Sequence, residues 1–143
     1  MQELNVLATQ KVEEIITGIQ NGSFEPVNQS GEVSTAPKLN EMDLRIDWND
    51  NSSKISRKVR AGSKRLSAWT IIGESKIKIL SISENSLEDK IGIGQIKVIN
   101  KSVNVGCRNG SLIINEVIPE GKKQMDAMSW INGFQDKSDL KFS

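Results

Sequence analysis

Residues 109–133 read NGSLIINEVIPEGKKQMDAMSWING, a hairpin turn, a buried strand, a proline-glycine break carrying Lys122 and Lys123, and a short amphipathic helix. Asn109-Gly110 is the pair that tolerates positive φ at both central positions of a type I′ turn, so strands are expected on either side. Val103, Val105 and Cys107 alternate before it and Leu112 and Ile114 after it, the period of a half-buried sheet. Pro119 stops the second strand and Gly121 frees the backbone. Met125, Met128 and Trp130 or Ile131 then recur at helical spacing until Gly133 ends the run.

Working back toward the N-terminus, residues 94–99, 76–82 and 69–72 read as further strands, the last two joined at Gly73-Glu74. Five short strands with a helix at each end predict an α+β, mainly β domain over residues 52–133: a small open Greek-key barrel of the oligonucleotide-binding type. Residues 1–22 place Leu4, Leu7, Val12, Ile15, Ile16 and Ile19 near one side of a helix that stops at Asn21-Gly22 and needs a surface to pack on. Residues 23–51, rich in Pro, Gly, Ser and Asn, read as an extended linker, and 134–143 as a tail.

Composition bounds the chemistry. With 26% charged and 36% hydrophobic residues in 143, the chain is a globular one of ordinary size. No run reaches the roughly 18 apolar residues that span a bilayer, and no signal-peptide pattern opens it, so a cytoplasmic place and no membrane partner are expected. Cys107 has no second thiol and no histidine to share a metal with, and reads as a small core residue. There is no histidine at all, which removes the side chain that most often exchanges protons near neutrality. Asp43, Asp47 and the Glu88-Asp89 pair show no spacing suited to carboxylate catalysis and read as solvated surface groups. No catalytic residue, metal ligand or cofactor-binding residue is assigned to this chain.

Charge is divided along the sequence. Residues 1–50 hold three basic and nine acidic groups, a balance of −6, and residues 51–143 hold sixteen basic and nine acidic, a balance of +7. Residues 51–73 carry Lys54, Arg57, Lys58, Arg60, Lys64 and Arg65 with no acid among them. Ser52 or Ser53 can cap a helix there, Ile55 and Val59 supply a core stripe, and Arg57, Arg60 and Lys64 fall on one outward face. A helix made only for solubility mixes signs, so an unmixed one suits phosphate.

Over about residues 1 to 133 the sequence resembles the C-terminal part of methionyl-tRNA formyltransferases. Ala36-Pro37-Lys38 and Arg45-Ile46-Asp47-Trp48 are similar to that family's interdomain linker. Val59-Arg60-Ala61 and Ala68-Trp69 resemble the opening of its C-terminal domain, and Gly121-Lys122-Lys123 with Met125 its closing motif. Ser63-Lys64-Arg65-Leu66-Ser67 stands where the family usually has prolines, making this loop more basic and less rigid.

The resemblance implies that residues 1–22 correspond to the last helix of a formyltransferase catalytic domain. It also implies initiator tRNA as partner, 10-formyltetrahydrofolate as the family's formyl donor, and a separate catalytic domain as a possible cover for helix 2–20. The family's catalytic Asn, His and Asp have no counterpart here, so this chain alone is expected to bind tRNA and not to catalyse. Arg57, Lys58, Arg60, Lys64 and Arg65, with Lys122 and Lys123, form the expected phosphate-facing set. Two other readings stay open: an architectural module of a sugar-nucleotide or folate formyltransferase, and a non-catalytic interaction fragment.

Overall fold

The computed structural model describes residues 2–63, 65–85 and 91–143, divided into two compact units, Met1–Pro37 and Lys38–Ser143. The first holds helix α1, Gln2–Gln20, followed by residues without helix or strand. Its end is a Schellman cap: the Ser23 N–H reaches the Gly18 carbonyl at 2.9 Å and the Gly22 N–H the Ile19 carbonyl at 3.3 Å. Gly22, at φ 73°, supplies the left-handed residue that this cap requires.

The second unit is α+β. After a 3₁₀ turn at Met42–Leu44 come α2, Ser52–Ala61; β1, Ala68–Ile72; β2, Ser75–Glu84; β3, Ile96–Ile99; β4, Ser102–Cys107; β5, Gly110–Pro119; β6, Met125–Asp126; and α3, Ala127–Ile131. All pairings within the sheet are antiparallel, in the order β1-β2-β5-β4-β3, with β6 added beside β5. The run β2-β5-β4-β3 has Greek-key order, and the sheet is open and barrel-like, as expected. The expected strands are present, with a two-residue sixth strand beyond them.

Local chemistry shifts several expected details. The cap of α2 is Asn51, whose side-chain oxygen accepts from the Lys54 N–H at 2.9 Å, one residue before the expected serines. The β4–β5 hairpin forms, but Cys107 pairs with Gly110, so the central residues are Arg108 and Asn109 rather than Asn109 and Gly110. Only Gly110 of these has positive φ, 141°. A type I′ geometry sits one hairpin earlier, at Asn100 and Lys101, with φ of 50° and 59° between paired Ile99 and Ser102. Met125 lies in β6 opposite Val117 and not in the last helix. The reason is Asp126, whose carboxylate accepts from the Met128 and Ser129 N–H groups and so starts α3 after itself.

The core takes in residues that the sequence leaves in linker and tail. Leu44, Ile46 and Trp48 are buried, and so is Phe142, at 2% exposure. The Phe142 ring lies between Trp48, centroids 5.2 Å apart, and Trp130, 5.9 Å apart, with both pairs stacked, while Phe134 meets Trp130 edge-on. Around this ring the tail stitches the two open margins of the sheet. The Ser143 N–H bonds to Ile71 of β1 at 3.0 Å, the Phe142 N–H to Gly94 at 2.9 Å, and the Ile96 N–H of β3 to Leu140 at 2.9 Å. Gly94 permits this: a Cβ there would sit 2.5 Å from the Phe142 carbonyl oxygen.

Candidate nucleic-acid interface

Helix α2 forms because Asn51 caps it and because Ile55, Ser56 and Val59 can be buried on its inner side against the sheet. Its first N–H is also held from outside, since the Asn109 side-chain oxygen accepts from Ser52 at 2.8 Å. The tip of the β4–β5 hairpin therefore sets the angle at which the basic helix enters. With the inner side fixed, Arg57 and Arg60 face solvent. Among the described residues neither makes an ion pair; Arg57 Nε only donates to the Ser53 carbonyl, at 3.3 Å.

Lys58 lies elsewhere on the helix. Its Nζ donates to the Arg45 carbonyl at 2.6 Å, tying α2 to the segment before it. Arg65 is exposed in the connection to β1, and Lys64 lies outside the described residues. Lys122 and Lys123 are exposed in the turn after β5, where Gly121 takes φ 69° and the Lys122 N–H bonds to the Pro119 carbonyl at 3.0 Å. Gln124, just past that turn, and the end of α2 border one recess of about 260 Å³, lined by Val59, Gly62 and Ser63 on one side and by Leu80 and Gln124 on the other. Arg60 borders a second recess, about 200 Å³, which shares Val59 and Leu80 with the first and ends at Glu84. Arg60 and Gln124, the residue that follows Lys122-Lys123, thus border neighbouring recesses between α2 and β2, with Arg57 on the adjoining outward surface. Lys58 is drawn aside to the linker.

Among the described residues of this unit two further cations are neutralised. Lys54 pairs with Asp50 at 2.7 Å, and Lys76 pairs with Glu41. Lys76 also lies 4.2 Å from the centre of the Trp69 ring, with Arg45 at 5.6 Å from the same ring. Trp69 Nε1 donates to the Glu41 carbonyl at 2.8 Å, so this cluster fastens residues 41–45 to β1. Sequence reasoning missed it because its members are separated by up to 35 positions and share no pattern. The hydrogen bond and charge of Lys76 hold the Glu41 carboxyl below its ordinary range. Burial pushes the Cys107 thiol up, which keeps it protonated and unreactive, in keeping with a core position on β4.

All three tryptophans are buried. Among the described residues the cations that lie over an indole are Arg45 and Lys76, both at Trp69; Arg57, Arg60, Arg65, Lys122 and Lys123 are exposed without such a ring contact. Among the described residues no cluster of His, Cys, Asp or Glu could hold a metal ion, and no helix is long and apolar enough to cross a membrane.

Comparison with known proteins agrees with this fold. The family model for the formyl transferase C-terminal domain matches residues 38–135. The methionyl-tRNA formyltransferase of Corynebacterium glutamicum is 32% identical over 132 residues, covering 90% of this chain and 42% of the relative. That of Mycolicibacterium vanbaalenii is 33% identical over 135 residues, covering 93% and 44%. The chain thus spans about two-fifths of the length of the curated relatives it matches. Among solved structures, HypX from Aquifex aeolicus in complex with tetrahydrofolic acid superimposes with a TM-score of 0.65 at 21% identity, over 94% of this chain and 26% of that one. This likeness concerns the fold alone.

Proposed function

The chain belongs to the formyl transferase C-terminal domain family, and on that premise we propose that it is the RNA-gripping portion of a methionyl-tRNA formyltransferase. In this reading it binds the backbone of initiator tRNA in the cytoplasm at the start of translation. Formyl transfer from 10-formyltetrahydrofolate belongs to residues outside this sequence, and the chain by itself is not catalytic. A formyltransferase catalytic domain is the partner expected on the apolar stripe of α1.

The observation that carries the proposal is the outward surface of α2, where Arg57 and Arg60 stand exposed and, among the described residues, free of carboxylate partners. A phosphate approaching them displaces water and counterions and breaks no existing ion pair, so the attraction appears as binding rather than as exchange. Arg65, Lys122 and Lys123 extend the same set, as would Lys64, and Lys58 contributes through orientation of the helix. The buried tryptophans favour a sequence-independent hold on ribose-phosphate. That the relatives are named methionyl-tRNA formyltransferases supports reading the RNA as a tRNA.

Titration of the full chain with initiator tRNA at several salt concentrations tests this. Binding is expected to weaken linearly on logarithmic axes, and the Arg57→Ala, Arg60→Ala double variant is expected to lower the slope by about two units, one per phosphate contact. Binding that ignores salt, or a slope unchanged in the double variant, would overturn the assignment. Equal preference for heparin and tRNA would favour an architectural module instead.

A further inference from the structure

The sequence contains three Asn-Gly pairs, at 21–22, 109–110 and 132–133, and two of them, Asn21-Gly22-Ser23 and Asn109-Gly110-Ser111, share one tripeptide. Identical local chemistry thus occurs in two structural settings. We propose that Asn21 is a modification site at which the helix end promotes spontaneous conversion of asparagine to aspartate and isoaspartate, while the fold protects Asn109 and Asn132.

The reaction requires three things of the chain. The amide nitrogen of the following glycine, giving up its proton to hydroxide, bonds to Cγ of the asparagine. Negative charge develops on Oδ1 in the tetrahedral intermediate, and the Cγ–Nδ2 bond then breaks with release of ammonia. Water opens the resulting succinimide at either carbonyl, leaving aspartate or isoaspartate. One water is consumed, one ammonia is lost, and no other reactant is needed.

At Asn21 the oxygen that gains charge already has two donors. The Ser23 N–H lies 3.0 Å from Oδ1 and the Ser23 hydroxyl 2.6 Å from it. Donors set where charge appears lower the barrier to such an intermediate. The nucleophile is available as well. The Gly22 amide has one long bond, 3.3 Å to Ile19, at an exposed helix end of the kind that opens readily. A side chain placed on Gly22 would meet nothing within 4 Å, so the approach is not crowded.

The other two asparagines also have a donor on Oδ1, the Ser52 N–H at 2.8 Å for Asn109 and Lys137 Nζ at 3.0 Å for Asn132, and Gly110 is as uncrowded as Gly22; what differs is where the glycine amide sits. Gly110 stands opposite Cys107 in the β4–β5 ladder, beside the buried Ser111. Asn132 is held at φ −68°, ψ −15°, and the Gly133 amide bonds to the Trp130 carbonyl at 3.1 Å. Opening either one means unwinding part of the folded unit. Conversion at Asn21 would place a carboxylate at the negative end of the α1 dipole, and the isoaspartyl form would lengthen the main chain within the cap.

The test is peptide mapping of the full chain aged at mildly alkaline pH, with mass spectrometry and an isoaspartate assay, folded and in guanidinium. In guanidinium, Asn21 and Asn109 should convert at similar rates. In the folded chain Asn21 should lead Asn109 by about tenfold or more, since only its amide opens without global unfolding. Ser23→Ala should slow Asn21 by about tenfold, less than the ~100-fold cost of losing such a donor in a water-excluded active site. Asn109 keeping pace in the folded chain, folding that slows Asn21 as much as Asn109, or an unchanged rate in Ser23→Ala would each overturn the proposal.

Discussion

Helices α1 and α2 carry the same kind of apolar stripe and meet opposite fates. Ile55 of α2 is 1% exposed, whereas Ile16 of α1 is 49% exposed, and Leu4, Leu7, Val12, Ile15 and Ile19 share its exposure. Helical spacing of isoleucine and leucine reports that a face wants cover. It does not report whether the cover lies in the same chain. For α2 the cover is β2 and its neighbours, and the capping contacts from Asn51 and Asn109 keep the helix in register with it. The two units thus separate a folded platform from an element whose stability depends on what meets it.

The largest test of that contrast is Phe142→Ala. The ring fills the space between Trp48 and Trp130, so its loss opens a cavity and unstacks residues from three segments at once. A destabilisation of about 3–5 kcal/mol is expected for the Lys38–Ser143 unit, read from chemical unfolding monitored by tryptophan fluorescence. A loss below about 1 kcal/mol would mean that the tail is an accessory and that the sheet closes without it.

That residue also marks the limit of what the sequence discloses. The hairpin at 107–110, the strand at 75–84 and the basic helix were legible, because alternation, turn residues and charge runs are local patterns. Phe142 was not, since a lone aromatic in a polar tail carries no period, and its place depends on Trp48 and Trp130 arriving from distant segments. The turn at Asn100-Lys101 was hidden for a related reason: lysine is not a residue that advertises positive φ, and the flanking pairs Ile99–Ser102 and Val98–Val103 impose it. At the candidate interface, Arg57 and Arg60 followed from spacing. The diversion of Lys58 to Arg45 did not, because nothing in the order of residues says where the linker returns.

An intermediate effect is expected in the pH dependence of the folded unit. The Asp126 carboxyl is held below the ordinary carboxylate range, first by the Ser129 side chain and then by the Ser129 and Met128 amides at the start of α3. A carboxyl lowered in the folded state contributes stability that is present above its unfolded value, near 4, and is lost as pH falls through the lowered folded value. Acid unfolding should therefore begin partly at this cap. Asp126→Asn keeps an acceptor for the same amides without a titrating group, and should flatten the acid limb of the stability curve. An unchanged acid limb would remove Asp126 from the account, leaving Glu41, Asp47 and Asp136, whose carboxyls are lowered by Lys76, Asn49 and Ser138.

The smallest expected effect bears most directly on the difference between the two helices. Ile16→Gln replaces an apolar side chain at an exposed helical position with a polar residue of similar helix propensity, so no buried contact is lost. The unfolding midpoint should move by no more than about 0.5 kcal/mol, in contrast to the ~2–5 kcal/mol expected of a buried isoleucine such as Ile55 on truncation. A null result keeps α1 as a face awaiting a partner. A loss that grows with protein concentration would show instead that a second copy of the chain already covers the stripe, because only an associated state carries stability that rises with mass action.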